Sequence, residues 1–236
     1  MSAADPAPDR PFQGAVVAFD LDGTLVDTAP DLVGTLNTVL AQEGLPPMTL
    51  EAARPLIGRG ARSMLERGFA AEGVVVDPLA MPALFERFID IYLRRIARES
   101  RPFPGVEVAL DLLAEQGALL AVCTNKPTRL SLALLDALGM ASRFASVIGP
   151  DAAPAAKPDP RHLITAVETA GGRIERALMV GDSKTDLDAA RAAGVPVALV
   201  SFGYTEIPAA DLAPDALVES FDELHRALAA LLAACR

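Results

Sequence analysis

Asp20 and Asp22 stand two residues apart in Phe19-Asp20-Leu21-Asp22-Gly23-Thr24. A carboxylate at such a position can attack phosphorus and become an aspartyl-phosphate. A second carboxyl two residues on can protonate the leaving oxygen and later take a proton from water. The same spacing also fits a solvated turn capped by an aspartate. Asp182 and Asp186 lie four apart in Gly181-Asp182-Ser183-Lys184-Thr185-Asp186, which puts both on one face of a helix start. Clustered carboxylates are the ligands Mg²⁺ prefers, and acidic residues in a first helical turn also suit the helix dipole alone. Thr124-Asn125, before Lys126-Pro127, offers a hydroxyl, an amide and free helix N–H groups to phosphate oxygens. It equally reads as an ordinary cap. Lys157, before Pro158, has the charge to neutralise a phosphate, although exposed lysines are common. Each feature alone is ambiguous.

The elements that must position these residues make them less so. Ala15-Val16-Val17-Ala18-Phe19 is a continuous apolar run and reads as a strand buried on both faces. Apolar runs at 118–123, 177–180 and 195–200 repeat the form, and each stops at polar or glycine residues. Helical periodicity fills 106–116, 130–138, 160–170 and 185–193, each followed by glycine, the residue that tolerates the left-handed cap. Strands alternating with helices predict an α/β chain built on a Rossmann-like parallel sheet. Ligands in such sheets bind outside the carboxyl ends of the strands, so Asp20, Thr124 and Asp182 should share one sheet edge. Residues 28–100 break the alternation. Helices are predicted at 31–42, 50–56, 61–71 and 82–98, as a helical cap inserted after the first strand. The expected division is therefore a catalytic core of 14–27 with 101–236, and a cap of 28–100. Residues 1–13 are expected to form a disordered tail rather than a targeting segment.

Composition excludes several alternatives. The chain has 236 residues, 51% of them hydrophobic, enough for a large core. Its net charge of −10 argues against nucleic-acid or anionic-membrane partners. No apolar run is long enough to predict a membrane-spanning helix. The two cysteines, Cys123 and Cys235, form no disulfide framework or zinc motif, and their scarcity suits a cytoplasmic setting. Cys123 is expected to be packing. His162 and His225 are expected on the surface or on helices, and Phe85, Phe88 and Tyr92 as packing within the cap.

Four ordered motifs now carry a resemblance. Asp20-Leu21-Asp22-Gly23-Thr24, Thr124-Asn125, Lys157-Pro158 and Gly181-Asp182 with Asp186 resemble, in order, the motifs of the haloacid dehalogenase-like superfamily. The resemblance implies an Asp20 nucleophile that also binds Mg²⁺, and an Asp22 acid/base whose carbonyl reaches the metal. It implies a phosphoryl group held by Thr124, Asn125 and Lys157. Asp182 would be a direct metal ligand, and Asp186 would bind through water or orient Lys157. Dehalogenases of the superfamily lack a carboxylate at the Asp22 position, so phosphoryl transfer is implied. Small phosphorylated metabolites are then the expected partners, for a monomer or homodimer.

The cap should set the substrate. Leu56-Ile57-Gly58-Arg59-Gly60-Ala61-Arg62 resembles the cap loop of the phosphoglycolate phosphatases of that superfamily, as do 25–31 and Phe202-Gly203-Tyr204. Gly58 and Gly60 would let backbone amides approach a small substrate, and Arg59 or Arg62 would meet its carboxylate. The two arginines also read as solvated residues at a glycine-flanked helix start. The family loop often carries a small polar residue where Arg59 stands. Sugar or amino-sugar phosphatases share many of these features, and a phosphomutase shares the core. A catalytically silent binding protein would have no need of all four motifs.

Overall fold

The structure, a computed structural model, describes residues 10–58 and 60–234. The chain opens with β1 (Val16–Phe19) and a short β2 (Val26–Asp27). It then runs through α1 (Ala29–Gln42), α2 (Leu50–Ala53), a 3₁₀ turn (Arg54–Leu56), α3 (Ala61–Ala71) and α4 (Met81–Leu93). It returns through β3 (Arg101–Pro102), α5 (Val106–Glu115), β4 (Leu119–Cys123), α6 (Thr128–Ala137) and β5 (Ser146–Ile148). The last third holds α7 (Pro160–Thr169), β6 (Ala177–Gly181), α8 (Lys184–Ala193), β7 (Val197–Val200), β8 (Ala216–Val218) and α9 (Phe221–Ala234).

Six strands form one parallel sheet in the order β5-β4-β1-β6-β7-β8. The chain winds outward in one direction through β4 and β5, and in the other through β6, β7 and β8. The winding reverses between β1 and β6, the crevice where open α/β sheets bind ligands. Register makes that crevice level. Phe19 pairs with Val122 on β4 and with Val180 on β6, so Asp20, Thr124 and Asp182 leave their strands at nearly the same height. The four central strands, β4, β1, β6 and β7, are apolar because both of their faces are covered. Val17 and Phe19 face a cluster with Leu110 and Leu113 of α5 and Leu224 and Leu228 of α9. Val16 and Ala18 face Leu163 and Val167 of α7 and Leu187 of α8.

A separate apolar cluster joins α1, α3 and α4 through Leu36, Leu40, Met64, Leu65, Phe88 and Tyr92. It reaches the sheet side through Leu130 and Tyr204. The two ends of this helical stretch are held together by antiparallel pairing of β2 with β3, Val26 opposite Pro102 and Asp27 opposite Arg101. Asp31, in the first turn of α1, strengthens the closure. One of its carboxylate oxygens accepts from the Glu99 amide (2.9 Å), the Ser100 amide (2.8 Å) and the Ser100 hydroxyl (2.7 Å), while Arg95 reaches the other at 3.3 Å.

Several expectations are corrected. The tail does not extend to residue 13. Residues 1–9 lie outside the described residues, but Phe12 is fully buried in the main core, and Arg176 donates to the carbonyls of Pro11 and Gln13. The predicted helix 50–56 divides into α2 and the 3₁₀ turn, because Pro55 has no N–H to continue the α pattern. The predicted helix 82–98 is α-helical only to Leu93. β2, β3, β5, β8 and α9 have no counterpart among the predicted elements.

Burial pushes the Asp31 carboxyl up, but the hydrogen bonds from Glu99, Ser100 and Arg95 outweigh it and hold it below its ordinary value. A depressed folded-state value stabilises the fold above the unfolded value near pH 4, and that contribution is lost as pH falls through the folded value. Asp31→Ala is therefore expected to cost about 3 kcal/mol at neutral pH. Urea unfolding of both proteins should show this gap at pH 7 and its narrowing below about pH 4.

Candidate active site

The centre of the site is one ammonium among buried carboxylates. Lys157 Nζ lies 2.6 Å from Asp186 Oδ1 and 3.1 Å from Asp20 Oδ1. Carboxylate oxygens of Asp20, Asp182 and Asp186 all fall within 4.8 Å of one another. All four side chains are buried.

Each is fixed locally. The Leu21 amide donates to Asp20 Oδ1 (2.7 Å). Asp182 accepts from the Thr24 hydroxyl (3.2 Å) and the Tyr204 amide (2.6 Å). Gly203 and Gly23 let two loops close over this carboxylate. A Cβ at Gly203 would lie 2.1 Å from the Asp182 Cβ, and one at Gly23, where φ is +85°, would lie 2.6 Å from Asp182 Oδ2. Asp186 is the third residue of α8 and forms a capping box with Ser183. Its Oδ2 accepts from the Ser183 amide and hydroxyl and from the Asp182 amide, leaving Oδ1 for Lys157. Asp186 is thus placed to hold Lys157.

The Lys157 backbone is pinned as firmly as its ammonium. Asn125 donates to the Lys157 carbonyl (3.1 Å) and accepts from its amide (3.0 Å). The amide also donates to Nδ1 of His162 (3.0 Å), so Nε2 carries the proton and donates to the Ile148 carbonyl (3.1 Å). His162 lies on α7, in keeping with the expected surface or helix position, and is fully buried there. Burial and the charge of Lys157 push its pKa down to about 4, so it stays neutral.

The electrostatics follow from burial. Desolvation lifts Asp20 to about 6, against the pull of Lys157 and with the help of Asp186 and Asp22. Burial, Asp186 and Asp20 likewise hold Asp182 well above its ordinary value. Burial alone would lower Lys157, but Asp186 and Asp20 outweigh it and keep the ammonium charged. Three carboxylates share one counter-charge, which is the donor set and charge imbalance that a hard divalent cation corrects. Burial pushes the Cys123 thiol up to about 12, so it stays protonated and is packing, not a nucleophile.

Asp22 points elsewhere. Its two oxygens lie 3.0 and 3.1 Å from Lys126 Nζ, on the floor of a cavity that also borders Asp20, Thr124 and Asn125. Thr124 Oγ1 accepts from the Lys126 amide (3.2 Å). Gly58 and Gly60 line the same cavity, and a Cβ at Gly60 would press to 3.4 Å from the Asn125 carbonyl. Arg59 lies outside the described residues. Arg62 does not border the cavity. It pairs with Glu66 at 3.3 Å, largely exposed, beside the neighbouring wider opening. Lys126, with no role expected from the sequence, and Phe88 and Tyr92, expected only as packing, all line the cavity. The signal for Lys126 was its place directly after Thr124-Asn125 at a strand end; Tyr92 gave none.

A family model for haloacid dehalogenase-like hydrolases matches residues 17–200, and the chain belongs to that family. It is 58% identical over 224 residues to a phosphoglycolate phosphatase of Caulobacter vibrioides, covering 95% of this chain and 94% of the relative. It is 46% identical to a phosphoglycolate phosphatase of Agrobacterium fabrum, covering 93% and 94%. Among solved structures, a predicted phosphoglycolate phosphatase from Haemophilus somnus 129pt superposes with a TM-score of 0.83 at 30% identity, covering 90% and 96%. CbbY from Rhodobacter sphaeroides in complex with phosphate superposes at 0.76 with 25% identity, covering 89% and 96%.

The Asp186–Lys157 contact should be measurable apart from chemistry. A double-mutant cycle of Asp186→Asn and Lys157→Met, followed by urea unfolding, is expected to give a coupling of about 2 kcal/mol. A coupling near zero would mean the pair does not act as a unit.

Proposed function

We propose that this chain is a Mg²⁺-dependent phosphatase that hydrolyses 2-phosphoglycolate to glycolate and phosphate. The observation that carries the reading is the buried Asp20, Asp182 and Asp186 cluster around Lys157, beside an acid/base candidate, Asp22, on the cavity floor. Relatives named phosphoglycolate phosphatase, alike over nearly their whole length, support the substrate. The reading includes a core of 14–27 and 101–236, a helical cap of 28–100, and a cytoplasmic enzyme working as monomer or homodimer.

Asp20 attacks phosphorus and the bond to the leaving oxygen breaks, giving an aspartyl-phosphate. Asp22 gives its proton to that oxygen, which departs as glycolate. Asp22 then takes a proton from the water that attacks the aspartyl-phosphate, and free phosphate leaves. Thr124, Asn125 and Lys157 hold the phosphoryl oxygens. Asp186 keeps the Lys157 ammonium beside Asp20, where repulsion between the dianion and the nucleophile would otherwise be greatest. Asp20, Asp182 and the Asp22 carbonyl would hold Mg²⁺, with Asp186 behind them. The ion supplies positive charge against the phosphoryl dianion.

Three measurements test this. In phosphate-release assays, 2-phosphoglycolate should exceed sugar and amino-sugar phosphates about a hundredfold in kcat/KM, about 2.7 kcal/mol of transition-state binding. A flat profile would keep the chemistry and retire the substrate. Asp20→Asn should lower kcat at least about a thousandfold with the fold unchanged by circular dichroism. Mg²⁺ at a hundred times its Kd should stabilise the wild type by about 2.7 kcal/mol. That gain should vanish in Asp182→Ala.

A further inference from the structure

The cavity over Asp20 and Asp22 is walled by Leu32, Ile57, Met64, Phe88, Tyr92 and Leu130. Among its described lining residues the one cation is Lys126. Its side chain is 3% exposed, with the ammonium 4.4 Å from the centre of the Tyr92 ring. An ammonium has three N–H donors, and Asp22 engages at most two of them. Tyr92 is fully buried, and its hydroxyl lies against the Lys126 ammonium without a hydrogen bond of ordinary geometry. Burial pushes that hydroxyl up to about 12, against Lys126, so it keeps its proton at neutral pH. A buried hydroxyl without such a bond is uncommon in native proteins and calls for an explanation.

The substrate's own chemistry supplies one. In 2-phosphoglycolate the leaving oxygen, which Asp22 must protonate, sits on a carbon that bears the carboxylate. A group that reads that carboxylate must therefore lie next to Asp22. Lys126 does. Arg62 is exposed and paired with Glu66. We propose that the Lys126 ammonium and the Tyr92 hydroxyl form the carboxylate subsite, one supplying charge and the other a neutral donor, and that this pair sets specificity for an α-carboxylate on the leaving group. The proposal rests on the phosphoglycolate reading. It moves recognition from Arg62 of the cap loop to a lysine directly after Thr124-Asn125.

The test compares kcat/KM for 2-phosphoglycolate with that for 2-hydroxyethyl phosphate, which replaces the carboxylate by a neutral alcohol. It is run on wild type, Lys126→Met, Tyr92→Phe and Arg62→Ala, with thermal melts alongside. Wild type should prefer the carboxylate about a hundredfold. That preference should fall to within about threefold of unity in Lys126→Met, fall about tenfold in Tyr92→Phe, and persist in Arg62→Ala. Tyr92→Phe keeps the ring and its packing, so it decides the matter if Lys126→Met fails to fold. A preference retained in both Lys126→Met and Tyr92→Phe overturns the subsite and leaves the substrate reading standing. Equal slowing of both esters in Lys126→Met overturns it too, because the lysine would then serve Asp22 or the phosphoryl group. A wild type with no preference overturns the substrate reading, and the subsite with it.

Discussion

The ion pairs of Lys157 with Asp186 and Asp20 are the constraint on which the site depends. Taking three carboxylates out of water beside one another is strongly unfavourable. A single ammonium 2.6 Å from one and 3.1 Å from another makes the arrangement tolerable without removing its appetite for more positive charge. That residual imbalance would draw in a divalent cation, whose positive charge then faces a phosphoryl dianion with little screening in a low-dielectric site. It also explains why so many neighbours serve Lys157. Asn125 and the neutral ring of His162 hold its backbone, and the capping box of α8 holds its main acceptor.

The sheet makes this cluster possible by register. β1 pairs in step with both β4 and β6, so residues far apart in sequence end at one level where the winding reverses. Close approach is then a matter of missing atoms. Gly23 and Gly203 admit the carboxylate of Asp182, and Gly181 lies where a Cβ would meet Asp186 at 2.4 Å. A side chain at any of the three would need the acidic cluster to shift.

The core of this design was legible in the sequence because it is local. Continuous apolar runs ending in Asp20, Thr124 and Gly181-Asp182 declare buried parallel strands, and glycine stops mark the helices between them. What was not legible is set by distant contacts. β5 has three residues and β8 three, the latter on a sheet edge with Leu217 exposed, too short for periodicity to register. His162 looked like a helix residue, and only the fold reveals that its ring receives the Lys157 amide. Phe88 and Tyr92 follow helical spacing, which predicts packing. They do pack, stacked with ring centres 6.2 Å apart, but the face of α4 that carries them also roofs the cavity. Helical periodicity tells which residues are buried and not what they are buried against.

A continuous set of contacts joins the acidic cluster to the entrance of the helical stretch. The Tyr204 amide donates to Asp182 (2.6 Å), its hydroxyl donates to Asp27 and accepts from the Ala29 amide (3.0 Å), and Asp27 meets Arg54 at 3.4 Å. Asp27 ends β2 and Ala29 opens α1, so one tyrosine touches a candidate metal ligand and the point where the chain leaves the sheet. At the other end of the stretch, Asp31 fastens the return at Glu99 and Ser100. The apolar roof is therefore tied at its entrance to the floor that holds the charges, and its two ends are tied to each other. A reaction that needs charge buried from water and a small substrate held over it requires both layers in register, and these short polar ties supply that registration where apolar packing, which has no direction, would not.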